Sequence, residues 1–436
     1  MSKAAVSEPL KVAVAGLGTV GVGLLKVLGG NTGILAARAG RPIRVVAVSA
    51  RNRAKDRGVS LAGMDWYDDP AAMAREVKAE AVVELIGGAD GAALATARAT
   101  LERGLPLVTA NKAMLARHGA ELAALAEANG TTIGYEAAVA GGVPVIKSLR
   151  EGLAANRIDR VVGILNGTCN YILTAMRETG RDFAECLAEA QALGYAEADP
   201  TFDIDGVDSA HKLAILTCLA FGTAIDFDSI HVEGIRHISA QDIAFAEELG
   251  YRIKLLAITR RTEAGIEQRV HPCMIAKDGP LASVEGVENA VLIEGDTVGR
   301  VSLRGRGAGE GPTASAVAAD LVDLAAGRAH GPVFGVAARD QIPLPAAPMA
   351  GHTGSYYVRL SVVDKPGVFA RIASVLGDED VSMESVLQHG RRPDGPVAVV
   401  LTVHETMEGA FMRALDMIGS LDGILDTPRA IRIEPV

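Results

Sequence analysis

Four apolar residues, Val12 to Ala15, run straight into the glycine-rich stretch GLGTVG and then into VGLLKVL, whose apolar positions follow a helical spacing. Short apolar runs recur at IRVVAVSA, AVVELIGG, LPLVTA and TTIGYEAAV. Stretches with helical periodicity lie between them, among them PAAMAREVKA, GAALATARATLERG and GAELAALAEANG. Strands that are apolar nearly throughout, alternating with helices, predict an α/β domain over residues 1–140, with a parallel sheet covered on both faces.

Over residues 141–305 the pattern changes. The runs AECLAEAQALG, KLAILTCLAFG and DIAFAEELGYRIKLLA read as long helices, while RIDRVVGIL and NAVLIEGD read as strands, so an α+β domain is expected. GRGAGEGPTASAVAADLVDLA is a second glycine turn opening a helix, and a proline-rich link, IPLPAAPMAGHTGS, follows over about 341–355. The last unit, 356–436, reads strand YYVRLSVVD, helix GVFARIASVLGD, strand VSMESVLQ, strand VAVVLTVH, helix MEGAFMRALDMIG and strand PRAIRIEP. That βαββαβ order is ferredoxin-like.

Composition narrows the function classes. A chain of 436 residues is too long for one ordinary core, and its 49% apolar and 22% charged residues are those of a globular protein. A net charge of -10 argues against a broad nucleic-acid surface, though a local basic pocket stays open. Cys169, Cys186, Cys218 and Cys273 form no CxxC and no Cys/His set at metal-ligand spacing, which speaks against a zinc site or a disulfide framework. MSKAAVSEPLK lacks the apolar core of an export signal. The longest apolar run, Leu213 to Ile225, spans thirteen residues where a membrane helix needs about twenty. The expectation is a cytoplasmic protein with a buried helix there and no membrane partner.

GLGTVG places Gly16, Gly18 and Gly21 in GxGxxG spacing, with Thr19 and Val20 opening the helix. The first glycine permits a tight turn, the second lets backbone amides approach a pyrophosphate, and the third lets helix and strand pack closely. The motif follows a strand and begins a βαβ run, which makes dinucleotide binding the expected role. NAD-selective sites place an acid at the end of the second strand. Here AVSARNRAKDRG has none, and Arg51, Arg53, Lys55 and Arg57 follow closely. Such a cluster suits the 2′-phosphate of NADPH, with NADH possible; a solvated basic loop is the alternative, and which residue touches phosphate stays open.

Together GLGTVG, LVTANK, YEAAVAGGVPVI, GILNGTCNYIL, GYAEADPTFDIDGVDSAHKLAI and GAGEGPTASAVAADL resemble, in order and spacing, the homoserine dehydrogenase family over about residues 10–325. The closing eighty or so residues resemble an ACT domain, a small ligand-sensing module. The resemblance implies a Rossmann-like domain and NAD(P)H-dependent reduction of aspartate semialdehyde to homoserine, or the reverse. It puts Lys112 beside nicotinamide and substrate, and returns the chain to the cofactor at Gly309, so that 306–340 rejoins the first domain. It implies a monovalent-cation loop, usually for sodium, with carbonyl ligands from Glu136, Val139, Gly141 and Val143.

The acidic stretch EADPTFDIDGVDSAHKLAIL admits two readings. Asp205 could cap a helix that Asp208 completes, and Asp208 and Lys212, four apart, would then make an ordinary surface pair. Yet the helix continues as an apolar run and must be buried, so its first turns face the interior or a cleft. In the functional reading Lys212 gives or takes the proton at the substrate oxygen and Asp208 orients it. The resemblance assigns the substrate ammonium to Glu197, with Asp208 and Asp203 nearby. Asp199 and Asp205 are taken as structural. Cys169, where the family more often has Thr, is read as packing.

The ACT-like unit implies an amino-acid effector, threonine being the natural one, and a homodimer or homotetramer. Two alternatives stand: a catalytically silent nucleotide and amino-acid sensor, and a related amino-acid dehydrogenase with another substrate. Lys112, Glu197, Asp208 and Lys212 together argue against the sensor, which needs no proton donor.

Overall fold

The computed structural model describes residues 8–329, 331–389 and 396–436. The chain divides into two compact units. One comprises the chain up to Gly167 with Asp208–Ile230 and Glu288–Leu344; the other comprises Thr168–Val207, His231–Val287 and Pro345–Val436. The stretch 306–340, expected to rejoin the first domain, lies in the first unit, which also takes 141–167, 208–230 and 288–305.

In the first unit, β1 (Leu10–Ala15), β2 (Ile43–Ser49), β3 (Asp65–Tyr67), β4 (Ala81–Glu84), β5 (Leu107–Thr109) and β6 (Ile133–Gly134) form a parallel sheet ordered β3-β2-β1-β4-β5-β6. The chain leaves β1 toward β2 on one side and resumes at β4 on the other. The switch point, where such sheets bind ligands, thus lies between β1 and β4. The short strand β3 has no counterpart in the sequence reading. Helix Glu310–Ala325 packs on helix Thr19–Gly30 and gives Ala314, Val317 and Leu321 to the core beneath β1. Close approach enforces this: a Cβ on Gly23 would lie 2.6 Å from Glu310 Cγ. Helix Pro70–Glu76 shows how local sequence sets an element, with Asp69 accepting from the Ala71 amide (2.9 Å) and Pro70 at the first helical position. Such a cap contributes about 1 kcal/mol. Strands Ile158–Ile164, Glu288–Gly295 and Gly299–Arg306 form a separate antiparallel set in this unit.

In the second unit, strands Tyr251–Thr262 and Gly265–Ala276 form a long hairpin. The expected helix over DIAFAEELGYRIKLLA stops early, at Glu248, because Gly250 turns left-handed (φ 86°) and the following apolar residues enter the hairpin. The C-terminal strands Thr353–Val363, Met383–Gln388, Pro396–Met407 and Arg429–Ile433 order as fourth, first, third, second and are antiparallel. Helices Val368–Asp378 and Glu408–Gly419 bring Ile372, Leu376, Phe411 and Leu415 to their core. Arg429–Ile433 also pairs parallel with Gly265–Ala276. The proline-rich link is not a free tether: Ile266 N donates to Pro345 O (2.8 Å), Ala347 N donates to Ile266 O (2.9 Å), and His352 is buried.

Candidate functional site

The glycine turn shows why each of its glycines is there. A Cβ on Gly16 (φ 100°) would lie 2.4 Å from the Leu85 carbonyl oxygen, and one on Gly21 would lie 2.0 Å from the Gly16 carbonyl oxygen. Those two positions close the turn against β4. Gly18 has nothing within 4 Å, so the protein's own packing does not demand a glycine there; an approaching pyrophosphate would. A cavity of about 710 Å³ opens at this turn, lined by Gly16, Gly18, Ser49, Arg51, Lys55 and Ile86 among others. Thr19 and Val20 begin helix Thr19–Gly30, whose amides face the turn. Gly18→Ala is accordingly expected to leave the melting temperature within about 2 °C while raising the KM for dinucleotide roughly tenfold or more. Thermal unfolding beside steady-state kinetics checks both.

The four basic residues behind β2 separate by contact. Arg57 is spent on the chain itself, donating to the carbonyls of Leu17 (3.3 Å), Lys55 (2.8 Å) and Asn52 (2.6 Å). Arg53 and Arg57 lie 5.9 and 5.6 Å from the centre of the Trp66 ring. Arg51 and Lys55 line the cavity and are exposed. Asp68 also lines it and accepts from Trp66 Nε1 (2.8 Å).

The ends of β4 and β5 are tied by groups that sequence reasoning passed over. The buried Glu84 carboxylate accepts from the amides of Ile86 (2.7 Å) and Gly87 (3.3 Å) and from Thr109 Oγ1 (2.6 Å). Asn111 donates to the Gly88 carbonyl (2.7 Å) and caps helix Lys112–Ala128 by accepting from Met114 N (3.1 Å). The cap signature, Asn just before a helical run, was available in LVTANK. Its effect is to set Lys112 at the carboxyl end of β5.

Lys112, Asp208 and Lys212 come together. Lys212 Nζ donates to Asp208 Oδ2 (2.7 Å) and to the Leu165 carbonyl (2.6 Å). Asn166 Nδ2 donates to the same Oδ2 (2.9 Å), and Lys112 Nζ lies 3.1 Å from Oδ1. Asp208 and Lys212 are 4% and 8% exposed, which removes the surface-pair reading. Burial raises the Asp208 carboxyl, but the Lys212 and Lys112 charges, with hydrogen bonds from Lys212 and Asn166, outweigh it and hold the group well below the usual carboxylate range. Asn166 lies in the GILNGTCNYIL stretch, but its contact with Asp208, like that of the Leu165 carbonyl with Lys212, spans more than forty residues, and spacing carries no signal of either.

Glu197 and Asp203 belong to the second unit. Glu197 is exposed, and its carbonyl accepts from Gln191 Nε2 (3.0 Å). Thr168 Oγ1 donates to the Tyr195 carbonyl (2.7 Å) and sits 3.4 Å from Asp203 Oδ2. Cys169 does more than pack, since its thiol donates to the Asp203 carbonyl (3.2 Å). Asp205, taken as structural, caps no following helix with its side chain. It ends the short helix Thr201–Ile204, and its carboxylate pairs with Arg236. Asp199 accepts from Thr201 N (3.1 Å), a structural role.

In the loop after β6, Ala140 (φ 53°) and Gly141 (φ 45°) are both left-handed, and a Cβ on Gly141 would meet the Gly307 carbonyl oxygen at 2.4 Å. Both Glu136 carboxylate oxygens are taken, by the amides of Ile146 and Lys147 (2.9 Å each), and Glu136 N donates to Asp320 Oδ2 (3.0 Å). The side chain thus closes the loop. Burial, with Asp320 nearby, pushes the Glu136 carboxyl up to about 7, against those amides and Lys147. The Val143 carbonyl accepts from Val145 N (2.8 Å). Gly309 (φ 113°) opens helix Glu310–Ala325.

Among the described residues no single helix is long and apolar enough to cross a membrane. Residues 16–136 match the model of the homoserine dehydrogenase NAD-binding domain, 144–322 that of homoserine dehydrogenase, and 356–416 that of the ACT domain. The chain is 44% identical to the homoserine dehydrogenase of Pseudomonas aeruginosa over 438 residues, 98% of this chain and 99% of the relative. Identity to that of Neisseria gonorrhoeae is also 44%, over 98% and 99%. The crystal structure of a homoserine dehydrogenase from Thiobacillus denitrificans matches with a TM-score of 0.92 at 43% identity, covering 98% of this chain and 99% of that one. A hyperthermophilic archaeal homoserine dehydrogenase, solved in complex with NADPH, matches with a TM-score of 0.62 at 28% identity over 72% of this chain and 97% of that one. With two family domains in order, relatives aligned end to end and a glycine turn built for a dinucleotide, the chain belongs to the homoserine dehydrogenase family of NAD(P)-dependent oxidoreductases and carries an ACT domain.

Proposed function

We propose that this chain interconverts L-aspartate 4-semialdehyde and L-homoserine, with NADPH preferred over NADH. The observation that carries this is the buried cluster in which Asp208 binds Lys212 and Lys112 at once. A lysine ammonium has three N–H donors. Lys212 commits two of them, to Asp208 and the Leu165 carbonyl, leaving one for a substrate oxygen. In the direction of reduction Lys212 gives its proton to the aldehyde oxygen as negative charge develops there; in oxidation it takes the hydroxyl proton. Asp208 keeps the amine aimed, and Lys112 adds positive charge on the other carboxylate oxygen. Glu197 pairs with the substrate ammonium, and Asp203, steadied by Thr168 and Cys169, orients that side of the substrate. When bound, NAD(P)H supplies the hydride.

Arg51 and Lys55 would hold the 2′-phosphate, since Arg57 is committed to backbone carbonyls. The loop of Glu136, Val139, Gly141 and Val143 would hold a monovalent cation, sodium being the family's usual one, as a structural tie beneath the site. The ACT domain would take threonine near the turn at Gly367 (φ 88°), where helix Val368–Asp378 begins without a side-chain cap and a carboxylate could approach its N-terminus. A homodimer or homotetramer is part of the reading, supported by the edge strand Met383–Gln388, on which Val386 is 47% exposed.

The test follows reduced nicotinamide by its near-ultraviolet absorbance, with homoserine and either NADP⁺ or NAD⁺, and with threonine titrated in. Reduction of nicotinamide is expected with homoserine, NADP⁺ being favoured, and threonine is expected to lower the rate. Arg51→Ala is expected to raise the KM for NADP⁺ about tenfold or more, the scale of one charged hydrogen bond, and to leave that for NAD⁺ nearly unchanged. No turnover of homoserine by the wild type rejects the activity. Equal effects of Arg51→Ala on both cofactors reject the phosphate assignment.

A further inference from the structure

The loop carrying Glu197 is open to solvent yet held from several sides. Helix Phe183–Ala192 ends in a left-handed Gly194 (φ 75°), with Tyr195 N donating to Ala190 O (2.8 Å) and Gly194 N to Gln191 O (3.1 Å). That double closure throws the chain back along its own helix. Gln191, on the last turn, then donates its side-chain amide to the carbonyls of Glu197 (3.0 Å) and Ala198 (3.3 Å). The Tyr195 ring packs on Tyr171 with centroids 4.9 Å apart. Tyr171 is anchored in turn, its hydroxyl donating to Glu189 Oε1 (2.6 Å), and that bond pushes the phenol up to about 12.

An exposed carboxylate gains little from an ammonium in water, on the scale of 0–1 kcal/mol, and a loose loop would lose most of that in ordering. A carboxylate mounted on a fixed loop avoids the ordering cost. We infer that Gln191 and Tyr171 are positioning residues for Glu197, setting the loop so that the enzyme selects substrates by their α-ammonium group. This rests on the assignment of the substrate ammonium to Glu197. The two residues touch no substrate; Gln191 acts through the backbone of Glu197 and Ala198, and Tyr171 through Tyr195.

The experiment measures KM for homoserine and kcat in the full-length chain for Glu197→Gln, Gln191→Ala, Tyr171→Ala, Tyr171→Phe and the double variant Glu197→Gln/Gln191→Ala, with thermal unfolding to confirm folding. Gln191→Ala and Tyr171→Ala are expected to raise KM about tenfold with kcat within about twofold, and Tyr171→Phe, which keeps the ring contact but loses the anchor to Glu189, to raise it less than Tyr171→Ala. In the Glu197→Gln background Gln191→Ala is expected to add less than about twofold, because the group it positions is gone. If Glu197→Gln leaves KM unchanged, the ammonium assignment falls and the inference with it. If Glu197→Gln raises KM but Gln191→Ala and Tyr171→Ala do not, or their effects multiply with it, the assignment stands and the positioning role is overturned.

Discussion

Lys212→Ala is expected to lower turnover at least about a hundredfold in both directions, the range of a positioned proton donor. The melting temperature is expected to stay near that of the wild type, and the reason is local. Removing one partner from a buried pair is severe when it strands a charge. Here Asp208 keeps the Lys112 ammonium at 3.1 Å and the Asn166 amide at 2.9 Å, so its carboxylate stays compensated. Catalysis and stability should therefore separate at this position, as they would not at Asp208, whose loss leaves two ammonium groups facing each other. Steady-state rates in both directions, with thermal unfolding of the same preparations, make the comparison. Turnover within a few-fold of wild type would remove Lys212 from the chemistry.

The pair at the heart of that prediction was legible because both partners lie on one helix. Asp208 and Lys212 are four apart at the start of a run too apolar to be exposed, and burial follows from that pattern alone. Lys112 was legible only through family likeness, since its approach to Asp208 is made by the sheet. Asn166 and the Leu165 carbonyl left no trace in spacing for the same reason. The glycine turn was readable from its spacing within one strand-turn-helix unit, where Gly21 is demanded by the Gly16 carbonyl; the contact that demands Gly16, with Leu85 past the end of β4, is made by the sheet. One element was read wrongly. Tyr251–Thr262 is buried on both faces from Ile253 to Ile258, which erases the alternation that marks a strand and leaves a run indistinguishable from a buried helix. The packing of the proline-rich link left no local signal because it comes from Gly265 and Ile266, eighty residues away: a Cβ on Gly265 would lie 2.1 Å from the Pro345 carbonyl oxygen.

The largest effect on stability is expected at Arg432. Its guanidinium, 8% exposed, holds two carboxylates at once: Glu408, 4% exposed and also accepting from Tyr356 Oη (2.6 Å), and Glu233, at 2.9 and 3.0 Å. Arg432→Met keeps the packing of the stem and leaves the two acids with no guanidinium between them. The expected cost is about 3–5 kcal/mol, a fall in melting temperature on the order of 10 °C near neutral pH. Burial raises the Glu233 carboxyl, but hydrogen bonds from His231 and Arg432 bring it down to about 2. A carboxyl held low in the fold adds stability that is present above its unfolded value of about 4.3 and is lost as pH falls through about 2. The gap between wild type and variant should therefore be widest above about pH 5 and narrow steadily below it. A gap that grows on acidification would contradict the ion-pair account. The consequence reaches the helix that carries Asp203: Glu233 N donates to Val270 O (2.7 Å), and a Cβ on Gly234 would meet the Ile204 carbonyl oxygen at 2.3 Å. Ile235 N donates to that same oxygen (2.8 Å), at the end of the helix that carries Asp203. A residue of the last strand thus helps brace the acidic helix through Glu233, and Arg432→Met should raise the KM for homoserine as well as lower the melting temperature.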